Sequence, residues 1–279
     1  MIIATVGANM SDQKSKAAVE LQSFKDAELW KGGFLDCDPI NPLMWSSYTT
    51  NGFVSIYHAI YWAAIKPYMP QAARVLEIGP GHGAWTRALI HGGAAKVIGL
   101  DVQAREFNGI DMWLGEDASK LDYYVVEDMT CSMVEDDSID FFWSGGAFVH
   151  MSKYIISEYV ASMHKKMRQG AHGFIQYADI DVYNNIVTNK ACMIHSVISE
   201  VMGPPEGPRL KEAMSQNEHI RSRDVVPEEM RNWEDVSPGR YFFVGQRFMA
   251  ECLSAAGFEV VDPFFMPSLR DPIIHFRKI

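Results

Sequence analysis

Through the middle of the chain, short apolar runs rich in β-branched residues alternate with stretches whose apolar positions recur every three or four residues. "ARVLEIG", "AKVIGLDV", "DYYVVED", "SIDFFWSG" and "GFIQYADI" have the length and composition of buried strands. "AWTRALIHGG" and "SKYIISEYVASMHKKMRQG" have the period of amphipathic helices, each closed by glycine. Strand and helix in alternation predict parallel strands joined by right-handed crossovers, with helices on both faces of one sheet. The last part of the chain breaks this rhythm. "GQRFMAECLSAAG" predicts a helix, and "FEVVDPFFMP" and "DPIIHFRKI" predict two strands joined by a link short enough to make them antiparallel.

Two segments stand outside the alternating core. Residues 1–70 carry the aromatic-rich "NPLMWSSYTTNGFVSIYHAIYWAAIKPYMP", which predicts a helix from about Phe53 to Tyr68 lying against the first strand. Residues 182–241 interrupt the core between the fifth strand and the final helix and contain the breaker "MGPPEGP". An insertion of this length at a strand end suits a lid or a substrate wall. The core therefore comprises residues 71–181 and 242–279.

Composition narrows the functions. A chain of 279 residues that is 48% hydrophobic buries a substantial core. Its net charge of −10, with no dense Lys/Arg segment, offers nothing to a phosphate backbone, so no nucleic-acid partner is expected. Cys37, Cys131, Cys192 and Cys252 are widely spaced, which argues against a zinc ribbon and a disulfide framework and for reduced thiols in a cytoplasmic protein. The apolar start lacks a basic region, and no run of eighteen or more apolar residues exists, so neither export nor membrane insertion is expected.

The chemistry concentrates at "RVLEIGPGHGAWTRAL". Gly79, Gly81 and Gly83 occupy the first strand-to-helix turn, which in an open parallel sheet lies at the ligand crevice. Without Cβ atoms they let a ligand rest on the main chain. "GPGHGA" also satisfies the dinucleotide pattern G-x-G-x-x-[GA], and Asp101, about twenty residues on, would hold a ribose in either case. Glu77, two places before the first glycine, is awkward beside a pyrophosphate but useful beside a cation, and Glu127 and Asp128 close the third strand with more negative charge.

With "LEIGPGHG", "VIGLDV", "VVEDMT", "VEDDSIDFFWSGGAFVHM" and "LSAAGFEVV" in this order, the chain resembles the class I S-adenosylmethionine-dependent methyltransferases. The resemblance covers about Arg74 to Ile180 and Val244 to the end. It implies an α/β fold with a seven-stranded, mostly parallel doubly wound sheet and an antiparallel C-terminal hairpin strand. It also implies S-adenosylmethionine as cofactor and S-adenosylhomocysteine as product. Gly79, Gly81 and Gly83 would pack against the cofactor's methionine and ribose portions, Glu77 would organise the loop, and Asp101 would hold the ribose. Val102 and Met129 would border the adenine, Asp128 would accept from its amino group, and Ser144 and Gly145 would meet the amino-acid tail through backbone groups.

Methyl transfer from a sulfonium needs mainly alignment and exclusion of water. A hydroxyl acceptor also benefits from a base, and the resemblance places His150 at the mouth of the site. Trp45, Tyr48, Asp179, His195 and His219 are candidates to line the acceptor pocket. Metal dependence is not expected, since Ser144 stands where metal-using relatives tend to offer Asp. The resulting expectation is a small-molecule methyltransferase, with oxygen preferred over nitrogen. Its rivals are an NAD-dependent oxidoreductase built on the same loop and a non-catalytic protein that only binds the cofactor.

Overall fold

The computed structural model describes residues 18–23, 25–26, 38–41, 43–45, 52–54, 56–185, 242–266 and 271–279. Its centre is a seven-stranded sheet. In chain order come β1 (Leu43–Trp45) and β2 (Gly52–Val54), an antiparallel pair outside the main sheet. Then follow β3 (Arg74–Ile78), β4 (Lys96–Asp101), β5 (Leu121–Val125), β6 (Ile139–Ser144), β7 (Met167–Gln176), β8 (Phe258–Met266) and β9 (Ile273–Lys278). The spatial order is β5-β4-β3-β6-β7-β9-β8. β3 to β7 run parallel, and β9 pairs antiparallel with both β7 and β8, as the C-terminal pattern predicts.

Strand alternation divides the core into two layers. Leu76, Ile78, Ile98, Leu100 and Phe142 face helices α5 (Lys153–Lys166) and α7 (Gly245–Ala255), which contribute Ile156, Tyr159, Val160, Met249 and Leu253. Val75, Val97, Phe141, Trp143 and Phe174 face the other way. They meet α1 (Ile56–Ile60), which runs on through a π-helical stretch (Tyr61–Ile65) and a last turn (Lys66–Tyr68), and α2 (Ala84–Gly92). The short helices α3 (Arg105–Asn108) and α4 (Ile110–Leu114) follow β4, and α6 (Ile180–Asn185) follows β7.

Helix ends follow local chemistry. α2 stops at Gly93, whose left-handed backbone returns its N–H to the carbonyl of Ile90. Ser152 caps α5 by accepting from the Ile155 amide, and His164, Lys165 and Lys166 sit in the last turn, where the helix dipole favours positive charge.

Three boundaries differ from the sequence pattern. Phe53 lies in β2, and the helix starts at Ile56. "MRQG" belongs to β7, which starts at Met167 against Ile139 before a register shift. β5 ends at Val125, so Glu127 and Asp128 lie beyond the ladder, exposed in a bend. Most of the segment from 182 to 241 lies outside the described residues.

Candidate functional site

In this strand order the chain leaves β3 toward β4 on one side and reaches β6 on the other. The β3/β6 boundary is therefore the switch point at which open α/β sheets bind ligands. A cavity of about 270 Å³ opens there, walled by the glycine loop, Leu100, Asp101 and Val102, Asn108, residues 145–147, His150 and Met151, Tyr159, Trp85, Tyr57, Pro39 and Gln176.

The three loop glycines do different work. A Cβ on Gly79 would overlap that of Ala147, so this glycine lets the β3 and β6 turns touch. Gly83 has φ +88°, and its Cβ would come within 2.6 Å of Ile110 Cγ1, so it packs α2 against α4. Gly81, at φ +50°, has nothing within 4 Å of its Cβ position, and it is the glycine that leaves bare main chain beside the cavity.

Asp101, at the end of β4, accepts from Gly81 N–H at 3.0 Å and Gln103 N–H at 2.9 Å. Burial pushes its carboxyl up, against those hydrogen bonds and one from the Asn108 side chain. Asn108 is itself fixed, donating to the Tyr123 hydroxyl at 2.7 Å, which donates to the Gln103 carbonyl at 2.8 Å. His82 Nδ1 lies 2.6 Å from the Asn108 carbonyl oxygen and ties the loop to the same network.

Glu77 lies beneath the loop, fully buried, with the Thr86 hydroxyl donating to it at 2.6 Å. Burial raises its pKa to about 8, the Thr86 bond opposing the rise and the Asp101 charge adding to it. Ser144 donates to the Ile78 carbonyl at 2.9 Å, joining the ends of β3 and β6, while its neighbour Gly145 lines the cavity.

Asp179 is buried, accepts from Asp181 and Val182 N–H at the start of α6 and from Gln246 N–H at the start of α7, and thereby anchors two helices. Asp128 accepts from Thr130 N–H and the Ser132 hydroxyl, and Met129 is buried in the core beside the Tyr159 hydroxyl. Glu77, Gly83, Asp128, Met129, Ser144 and Asp179 thus stand behind or beside the cavity wall, whereas Gly79, Gly81, Asp101, Val102, Gly145 and His150 form it. Trp45 lies in β1, its side chain outside the description; Tyr48, His195 and His219 lie outside the described residues.

Several wall residues carry no motif. Asn108, Tyr159, Trp85, Tyr57 and Gln176 come from five separate elements, and only the helical period of α5 and the aromatic cluster of α1 hinted at two of them. The helical residues 18–23 and 25–26 also reach the rim. Glu20 Oε1 accepts from Ser152 N–H at 2.8 Å, and the Lys25 carbonyl accepts from Gln103 Nε2 at 3.4 Å.

The wall has room and polarity for a nucleoside. Asp101 presents a carboxylate, Gly81 presents bare backbone, and among the described residues no Lys or Arg lines the cavity. No group of three or more His, Cys, Asp or Glu side chains suited to a metal ion occurs among the described residues.

Residues 75–170 match the family model for a methyltransferase domain. No curated protein matches the chain. Among solved structures, a protein from Pyrococcus horikoshii is similar over 80% of this chain and 91% of its own, at 13% identity and a TM-score of 0.52. An S-adenosylmethionine-dependent methyltransferase from Mesorhizobium loti matches 80% of this chain and 97% of its own, at 16% identity and a TM-score of 0.48.

Proposed function

This chain carries a class I S-adenosylmethionine-dependent methyltransferase domain, and from that premise we propose that it methylates a hydroxyl oxygen of a small molecule, with His150 as the base. The observation that carries the reading is that His150, itself buried, shares one cavity wall with Gly79, Gly81 and Asp101.

What S-adenosylmethionine supplies when bound is a methyl carbon already activated on a sulfonium sulfur. The protein's part is placement. Asp101 would accept from the ribose hydroxyls, Gly79 and Gly81 would offer main chain, and Val102 and Met151 would give apolar walls, all of them on the cavity lining. Trp85 from one layer and Met151 and Tyr159 from the other line the cavity and would limit the water that competes for the methyl group. His150 takes the proton from the acceptor hydroxyl as its oxygen attacks, so a neutral acceptor leaves as a neutral ether. An amine acceptor would draw less on this base, which is why oxygen is the preferred reading. The core, residues 71–181 and 242–279, holds the cofactor, and residues 1–70 and 182–241 complete the acceptor side.

Cys131 and Cys252 are free thiols, and no helix among the described residues is long and apolar enough to cross a membrane. We place the protein in the cytoplasm on the first of these grounds.

The test uses S-adenosylmethionine labelled in the methyl group and a panel of small hydroxyl and amine compounds, read by mass spectrometry. Labelled ether is expected, and His150→Ala should lower its rate by about 10²- to 10⁴-fold, the usual worth of a general base, while S-adenosylhomocysteine still binds. Cofactor binding with no labelled product from any acceptor would mark a binding protein instead. An unchanged rate in His150→Ala would remove the base.

A further inference from the structure

The ends of the strands act as a ruler along the cavity. Asp101 ends β4, and the next ends in spatial order are the glycine loop after β3, Gly145 after β6 and Gln176 of β7. Neighbouring strands are about 4.8 Å apart, so Gln176 lies about three spacings from the ribose position. With the ribose held at Asp101, a sulfur one carbon beyond the ribose ring would fall short of β7, which would leave the β7 side of the cavity to the acceptor.

The cavity wall from the β3 turn to the β7 end has a distinct chemistry. Tyr57 of α1, Trp85 of α2 and Trp143 of β6 form a ladder of rings, with centroids 5.8 Å apart between Tyr57 and Trp85 and 4.6 Å between Trp85 and Trp143. Trp143 is fully buried and backs Trp85 from within the core. Gly145 adjoins both indoles: a Cβ there would sit 2.5 Å from Trp85 Nε1 and 3.2 Å from Trp143 Nε1. The missing side chain lets Trp85 lie against the end of the sheet as a fixed flat wall. Gln176 donates through Nε2 to the Asp271 carbonyl at 3.2 Å, which orients its amide and leaves Oε1 as the remaining acceptor. Among the described residues the only carboxylate on the wall is Asp101, and no Lys or Arg there offsets the desolvation of an anionic acceptor.

Building on the methyl-transfer reading above, we propose that the acceptor is an uncharged planar aromatic hydroxy compound that lies against Trp85 and Tyr57, presents one hydroxyl to His150 and donates a second hydrogen bond to Gln176. Rings gain buried area and favourable ring–ring geometry on such a wall. An aliphatic polyol would leave several hydroxyls without partners there, and a phosphorylated compound would lose its hydration without a cation in return.

The experiment saturates the protein with S-adenosylhomocysteine and titrates in 2,7-dihydroxynaphthalene, 2-naphthol, myo-inositol and phenyl phosphate, read by calorimetry. Dihydroxynaphthalene should bind at least tenfold more tightly than inositol or phenyl phosphate, and more tightly than 2-naphthol. Trp85→Ala should weaken the naphthols at least tenfold more than it weakens S-adenosylhomocysteine. If that variant does not fold, Gln176→Leu serves, and it should abolish the preference for the dihydroxy over the monohydroxy ring. Tighter binding of inositol or phenyl phosphate, or a dihydroxy preference untouched by Gln176→Leu, would overturn the aromatic acceptor while leaving methyl transfer standing. Failure of S-adenosylhomocysteine to bind at all would overturn both.

Discussion

Asp101 already holds two backbone amides, Gly81 N–H and Gln103 N–H, one for each carboxylate oxygen. The side chain proposed to receive a ribose is thereby locked in place, and Asn108, fixed through Tyr123, braces it. Such bracing reduces the ordering cost of binding. Glu77 has a different character. With its pKa raised to about 8 by burial, it is mostly a neutral acid at pH 7. A carboxyl whose folded pKa is raised contributes stability that is complete below its unfolded pKa of about 4.5 and is lost as pH rises toward 8. Glu77→Gln keeps an oxygen to accept from Thr86 and cannot ionise. Denaturant titrations from pH 5 to 9 should show the wild type losing stability relative to Glu77→Gln across that range, and parallel curves would contradict the burial argument.

Among elements, the loop between β3 and α2 makes the sharpest contrast. Gly83→Ala places a Cβ against Ile110 at a left-handed backbone angle, and strain plus overpacking should cost about 2 kcal/mol or more. Gly81→Ala meets open space, so its loss of stability should be smaller and its loss of S-adenosylhomocysteine affinity larger. Melting curves and calorimetry on the two variants check this, and reversed rankings would contradict the division of labour. The sequence made this loop, the five parallel strands and the C-terminal hairpin readable, because period and turn residues act locally. It placed Asp128 and Ser144 at motif positions but carried no information on where their side chains turn; Asp128 spends its oxygens on Thr130 and Ser132, and Ser144 its hydroxyl on Ile78. Phe53 was unreadable as strand because its pairing with Met44 is set by another segment. Asn108, Trp85 and Gln176 converge only once the sheet assembles, and no spacing along the chain announces them.

At the scale of the whole molecule, the antiparallel β9 joins β7 to the edge strand β8 and brings the buried His275 against the partly buried His172. His172 Nδ1 and His275 Nε2 lie 2.8 Å apart, His275 stacks on Phe174 at 4.3 Å, and Tyr68 packs on the pair from α1's last turn. Burial, and then His172, lower the His275 pKa to about 4, with Asp262 and Glu259 opposing and Arg277 adding. A histidine whose folded pKa is depressed takes up its proton more readily unfolded. It therefore costs stability as pH falls from its ordinary value near 6.5 toward 4. His275→Phe should show a shallower loss than the wild type in that window, and an equal loss would place the acid sensitivity elsewhere.

The account as a whole depends on the cavity at the β3/β6 switch taking a sulfonium nucleoside rather than a dinucleotide. Thermal melting with S-adenosylmethionine, S-adenosylhomocysteine and NADH, on the wild type and Asp101→Ala, tests this directly. The first two should stabilise the wild type, by about 2.7 kcal/mol at a hundredfold excess over Kd, NADH should not, and Asp101→Ala should lose most of the effect. Stabilisation by NADH alone, or by none of the three, would contradict it.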